Sequence, residues 1–193
     1  MKTNRRVHPA WIAAIVTFFT LVATAGFRSA PAVLILPLQD AFGWNRDEIS
    51  LAIAINVLLY GLTAPFAAAL MERFTVRKVV MGALTTVSTG AFLTTQIHAP
   101  WQLIATWGVI VGVGTGSMAL VFAATVANRW FVQRRGLVIG GLTAASATGQ
   151  LIFLPGLTHL SGTYGWKSIG VTIGAAAFLM VPMIYVFLRE KPS

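Results

Sequence analysis

The sequence contains no cysteine. That excludes disulfides, thiolate nucleophiles and cysteine metal sites. Charge is scarce too: 10% of the 193 residues are Asp, Glu, Lys or Arg, whereas soluble domains carry about 25%. Acids are the scarcest, with 5 Asp and Glu beside 14 Lys and Arg. A chain this poor in charge lacks the polar surface of a water-soluble fold. What it has is 56% hydrophobic residues and a mean hydropathy of +0.78, with the apolar residues in long uncharged runs. Runs of roughly 18 or more such residues read as membrane-crossing helices. The fold class read from this pattern is all-α integral membrane.

Six spans are expected, at about residues 9–38, 49–71, 79–97, 101–127, 136–157 and 168–188. Pro31 and Pro37 should kink or end the first, because proline lacks an N–H and clashes with the preceding turn. Residues 39–47 read as a polar loop in which Asn45 and Glu48 have capping-box spacing. Residues 159–167 read as a polar, glycine-rich turn. The first run is too long for a leader peptide and lacks a small-residue cleavage site, so it is expected to remain as a span.

Lys and Arg alternate sides unevenly. Lys2, Arg5, Arg6, Arg73, Arg77, Lys78, Arg129, Arg134, Arg135, Arg189 and Lys191 fall on one side, and Arg46 and Lys167 on the other. Positive residues concentrate on the cytoplasmic side of membrane proteins, so both termini are expected there. The net charge of +9 is therefore a topology signal, and nucleic acid is not an expected partner; the lipid bilayer is.

Small residues mark packing faces. Gly108, Gly112 and Gly116 recur every four residues on the fourth span. Gly140, Ala144 and Thr148, and beside them Gly141, Ala145 and Gly149, do so on the fifth. Close backbone approach over small residues drives helix association in lipid, so these two spans are expected to pack on each other. Gly112-Val-Gly-Thr-Gly116 lacks the preceding strand and following acid of a nucleotide loop. It reads as a packing face, and neither a cofactor nor a metal is expected.

Arg28 is the costly residue. It lies about 26 Å along the first helix from Trp11, at roughly 1.5 Å per residue. Arginine near a span's centre costs roughly 2.5–3.5 kcal/mol to insert. Such a residue normally faces a bundle interior or a wet cavity. No acid lies within the six expected spans to pair with it. Three roles stand open: binding an anion, for which the guanidinium fork suits a carboxylate; a structural or gating pair; and snorkelling to the headgroups. Asn56 and Tyr60, one turn apart on the second span, and Gln150 in the fifth either line a cavity with Arg28 or bond neighbouring helices.

Two loops carry a resemblance. Ala68-Ala-Leu-Met-Glu72-Arg73-Phe74-Thr75-Val76-Arg77-Lys78 resembles the signature between helices 2 and 3 of the major facilitator superfamily, with Ala68, Glu72 and Thr75 replacing its Gly, Asp and Gly. Arg129-Trp-Phe-Val-Gln-Arg134-Arg135-Gly136 before a glycine-rich helix is similar to the monocarboxylate and oxalate/formate branch. Phe42-Gly-Trp-Asn-Arg46 and Tyr164-Gly-Trp166 also resemble its bacterial members. The resemblance implies two inverted three-helix repeats forming half of a twelve-helix transporter, with substrate bound at the midplane between halves. It implies a second six-helix half as partner, in the same chain or another copy. It also implies gating by the charged cytoplasmic loops (Glu72, Arg73, Arg77, Lys78, Arg129, Arg134, Arg135).

The expected function is secondary transport of a small organic anion, a monocarboxylate by the resemblance, across a bacterial inner membrane. A non-transporting truncated half and a half-size homodimeric transporter are the alternatives. An enzyme is not expected: an intramembrane protease needs Ser and His facing each other within the bilayer, while His98 and His159 lie at span ends.

Overall fold

The computed structural model describes residues 9–118, 120–130 and 135–187. All regular elements there are helical: α1 (Pro9–Phe42), α2 (Arg46–Arg73), α3 (Val76–Thr94), α4 (Pro100–Leu103), a π-helical segment (Ile104–Val111), α5 (Gly112–Gly116), α6 (Leu120–Trp130), α7 (Arg135–Tyr164) and α8 (Lys167–Phe187). Apolar surroundings offer a backbone no partners outside its own segment, which leaves the helix as the default.

α1, α2, α7 and α8 contain stretches long and apolar enough to cross a membrane: Ala14–Phe42, Arg46–Arg73, Gly136–Tyr164 and Lys167–Phe187. α3, of 19 residues, is not among them. Arg77 and Lys78 open it, and Thr85, Thr86, Thr89 and Thr94 lie along it. Each of these hydroxyls donates to the carbonyl four residues back. Such back-bonding satisfies a hydroxyl within the helix, so α3 is less polar than its composition.

Several helices outrun expectation. α1 continues past Leu38 to Phe42, straight through Pro31 and Pro37. Away from water, an interrupted helix would orphan more backbone groups than the prolines do. Only residues 43–45 separate it from α2, in place of the expected loop over 39–47. Gly43 makes that reversal with φ +68, a region open to glycine at little cost. The capping box forms as expected, the Asn45 N–H donating to Glu48 Oε2 at 3.0 Å. α7 continues to Tyr164, so the expected turn over 159–167 shrinks to Gly165 (φ +79) and Trp166.

The stretch expected as the fourth span is not one helix. The chain passes from α4 into eight residues of π-helix, returns to α-helix over Gly112–Gly116, and turns at Ser117 and Met118 before α6. The π register leaves α2 a foothold: Asn56 Nδ2 donates to the Trp107 carbonyl at 2.7 Å.

The expected pairing of glycine faces is corrected. α1 packs chiefly on α7, α3 on α8, and α2 on the π segment and α5; α6 and α7 touch far less. A Cβ at Gly108, Gly112 or Gly116 would lie 3.1, 3.1 or 2.6 Å from Ala52, Asn56 or Tyr60 of α2. Gly114 faces α3 instead, against Val87 and the Ala83 carbonyl. Gly149 of α7 sits on Val22 and Ala25 of α1, while a Cβ at Gly140 or Gly141 would touch no neighbouring helix among the described residues. A small-residue face admits any backbone of matching curvature, so its spacing says that it packs and not on what. Gly112–Gly116 is the packing face it was read as, gripped from two sides.

Candidate functional site

α1 and α2 make little contact with each other; Arg28, Tyr60 and Asn56 line the space between them, and Gln150 of α7 lies on its wall. Arg28 projects from α1 with its side chain exposed and its Cζ 5.0 Å from the Tyr60 ring centroid on α2. That is a cation–π contact, worth roughly 0.5–1 kcal/mol at exposed sites and about 2 when desolvated. It turns the guanidinium across the bundle. Tyr60 is fixed in turn from behind, where Gly116 meets its main chain.

Two adjoining cavities meet at this pair. Phe27, Arg28, Tyr60 and Thr115 line both. The first, about 340 Å³, runs towards the α1 N-terminus and the start of α7, with Thr24, Thr143, Ser146 and Gln150 on its wall. The second, about 380 Å³, runs towards the α1–α2 turn, with Pro31, Ala32, Ile35, Ile53, Asn56 and Val57 on its wall. All four residues singled out from the sequence therefore lie around one double cavity: Arg28 and Tyr60 in both lobes, Gln150 in the first, Asn56 in the second. Asn56 also bonds its neighbour helix through Trp107, so for it the two readings hold together.

Sequence reasoning missed Thr115, Thr143 and Ser146. Thr143, Ser146 and Gln150 have spacing i, i+3, i+7, one face of a helix, and that spacing was visible. Thr115 was not: its hydroxyl reaches the Val111 carbonyl at 2.9 Å at the end of the π segment, and nothing in the sequence marks the change of register there.

The charged loop residues are dispersed. Glu72 and Arg73 close α2, exposed, with Arg73 Cζ 5.8 Å from the Phe74 ring. Lys78 is exposed on α3. Arg77 is tied to the far end of α8: its Cζ lies 5.1 Å from the Tyr185 ring and Nη1 donates to the Tyr185 carbonyl at 3.5 Å. Phe74 and Thr75 turn the chain with extended backbone (φ −105 and −82), so Thr75 stands there without strain. Arg129 lies in α6 and Arg135 opens α7, while Arg134 lies outside the described residues.

Residues 13–193 match the Major Facilitator Superfamily. The chain belongs to that superfamily. As a Major Facilitator Superfamily chain with long apolar helices, it is a multi-pass membrane protein. It is similar to the uncharacterized MFS-type transporter YcxA of Bacillus subtilis (strain 168), 27% identical over 195 residues, covering 100% of this chain and 47% of that protein. It is also similar to monocarboxylate transporter 7 of Homo sapiens, 30% identical over 161 residues, covering 81% of this chain and 30% of that protein. Monocarboxylate transporter 9 of Mus musculus is 28% identical over 173 residues, covering 86% and 33%. The chain thus spans about half the length of the bacterial relative and about a third of the two mammalian ones.

Proposed function

We propose that this chain is the amino-terminal six-span half of a secondary transporter that carries a small organic anion, a monocarboxylate, by alternating access. The single observation behind this is the convergence of Arg28, Tyr60, Asn56 and Gln150 on one double cavity. A cation is held there by an aromatic face, and among the described residues it has no carboxylate partner. The guanidinium keeps in-plane donors suited to the two oxygens of a carboxylate. The names of the mammalian relatives point to the same substrate class.

α3 and the stretch from Pro100 to Trp130 supply the third and fourth crossings. Helix pairing supports two inverted repeats: exchanging the first three spans for the last three maps α1–α7 onto α2 with its π-segment and α5 partners, and maps α3–α8 onto itself. A second half, from the same polypeptide or another copy, closes the cavity opposite Arg28. Both termini and the loops of Glu72, Arg73, Arg77, Lys78, Arg129, Arg134 and Arg135 face the cytoplasm of a bacterial inner membrane, where they lock and release the halves. A cysteine introduced at Thr75 is then labelled by an impermeant reagent in inverted vesicles and spared in intact cells; the opposite pattern contradicts this topology.

The deciding experiment is uptake of a radiolabelled monocarboxylate by the assembled transporter. Arg28→Lys keeps the charge and loses the fork, so uptake falls. Arg28→Ala loses a charge-assisted contact worth roughly 1.5–3 kcal/mol, about ten- to hundredfold in affinity, while insertion is maintained because a costly charge has gone. Normal uptake by Arg28→Ala sinks the anion reading.

A further inference from the structure

A third cavity, of about 720 Å³, lies where α1 and α7 end, lined among others by Leu36, Asp40, Leu154, Thr158, Ser161 and Trp166. The two helices run in the same direction. A Cβ on Gly149 would meet Ala25, the Ser29 hydroxyl donates to the Gln150 carbonyl at 3.4 Å, and Asp40 and Ser161 reach the one cavity. Their C-terminal ends, at Phe42 and Tyr164, therefore lie side by side. Each such end carries carbonyls without a helical partner and a partial negative charge.

A basic residue in the last turn commonly offsets that charge, and neither last turn has one. Asp40 instead adds a carboxylate to the last turn of α1. An acid is unfavourable at that pole, so Asp40, like Arg28, stands where its charge needs a reason. Among the described residues its carboxylate has no hydrogen bond or ion pair. Lys167, at the start of α8, keeps Nζ 5.7 Å from the Trp166 ring and does not pair with it.

Ser161 is an independent sign. It is 8% exposed, and its Oγ is buried without a partner. Thr158 and Thr163 on the same helix each donate to the carbonyl four residues back; Ser161 does not. A buried hydroxyl left unpaired is costly. Carboxylate, hydroxyl and two helix C-termini all favour positive charge and N–H donors. Leu36, Leu154 and Trp166 favour an apolar body.

We infer that this cavity binds an organic ammonium ion, its nitrogen towards Asp40 and Ser161 and its carbon body along Leu36, Leu154 and Trp166. Divalent metals draw on several charged or carbonyl oxygens in a close shell, and one carboxylate stands here. The volume equals that of about two dozen waters at roughly 30 Å³ each, room that a ring or short chain would fill. Asp40 lies about 18 Å along α1 from Arg28, at roughly 1.5 Å per residue. One small molecule does not span both, so the site is separate from the proposed anion site and does not rest on it. On the topology proposed above, it opens away from the cytoplasm.

The test is calorimetry on the transporter in its own assembly in nanodiscs, with benzylammonium as probe and benzyl alcohol as its uncharged counterpart. Benzylammonium is expected to bind at least about fivefold more tightly, from the attraction of one exposed charge pair. Asp40→Asn keeps the shape, removes the charge and should bring the two probes level. Asp40→Lys supplies the missing cation. It should abolish benzylammonium binding while the apparent melting temperature stays at or above native, which separates loss of the site from misfolding. Ser161→Ala should weaken benzylammonium and leave benzyltrimethylammonium, which has no N–H, unchanged. Absence of benzylammonium binding, equal affinity for benzyl alcohol in the native protein, or native affinity in Asp40→Asn overturns the inference. So does loss of benzylammonium binding in Arg28→Ala, which would place the probe in the other cavity. A protein that binds benzylammonium in this pattern and takes up no monocarboxylate keeps this site and loses the anion reading.

Discussion

Between α3 and α8 the contact is continuous: Gly170 lies on Ala91 and Thr95, Gly174 meets the Phe92 ring, and Ser88 Oγ donates to the Gly174 carbonyl at 2.9 Å. Between α1 and α2 contact is sparse, and the gap holds Arg28, Tyr60 and the double cavity. α2 has only 11% of its apolar window buried, against 44% for α1, so most of α2 is presented outward. Each pair meets through largely apolar faces. The difference lies in where small residues fall. In the first pair they lie between the two helices and draw the backbones together. In the second, Gly108, Gly112 and Gly116 hold α2 from behind, and bulky Phe27 and Tyr60 keep its front apart from α1. One pair is support and the other encloses the proposed anion site, so damage to each should read out differently.

The largest effect is expected from Gly170→Leu. Its Cβ would lie 2.7 Å from Thr95 Cγ2 and 2.8 Å from the Ala91 carbonyl oxygen, and a backbone oxygen cannot swing aside. Overpacking costs about 1–3 kcal/mol, occasionally more, against total stabilities of about 5–15 kcal/mol. Monodisperse yield on size exclusion should fall sharply, while the surviving fraction binds anion with native affinity. A native yield would show that α3–α8 contact is not the support described.

A smaller effect belongs to the proposed anion site. Tyr60→Leu removes the aromatic surface under Arg28 and should weaken anion affinity by about two- to thirtyfold, from a cation–π contact of roughly 0.5–2 kcal/mol. Yield should remain native, the reverse of the Gly170 result. Tyr60→Phe should restore affinity, because it keeps the ring, and Tyr60→Trp should match or exceed it. Equal affinity for the leucine and phenylalanine variants would mean that the ring does not hold Arg28.

The smallest effect is Ser88→Ala, which deletes one interhelical hydrogen bond. Such bonds average about 0.6 kcal/mol within membranes, so the apparent melting temperature should fall slightly with affinity unchanged. A loss as large as that of Gly170→Leu would assign α3–α8 cohesion to the hydrogen bond and not to close packing.

The helical class was legible because an apolar environment leaves few alternatives to a helix, and the four long apolar stretches were legible because charges gather at their ends. Arg28 was legible by the same rule: its position is costly enough to require a reason. The ends were not. Asp40 sits in α1 and His159 in α7, since polar residues at a helix end can reach water whether the backbone is coiled or not. The division of the stretch expected as the fourth span was hidden as well. Ile104–Val111 has nothing in composition to separate π from α register, and what accompanies the π form is a tertiary contact, the Asn56 amide on the Trp107 carbonyl.

By itself, then, the sequence determined that this chain is a bundle of apolar helices, which faces are small enough to touch, and that one cation lies where a cation is expensive. Each is a statement about a segment and its solvent, and local composition suffices for it. Only the tertiary structure decided that Gly108, Gly112 and Gly116 meet α2 and not α7, and that Arg28, Tyr60, Asn56 and Gln150 surround one space. Those are choices among helices that all offer apolar faces. Lipid solvates every apolar face about equally well, so the choice falls to the shape match between particular backbones and a few hydrogen bonds, which no single segment records.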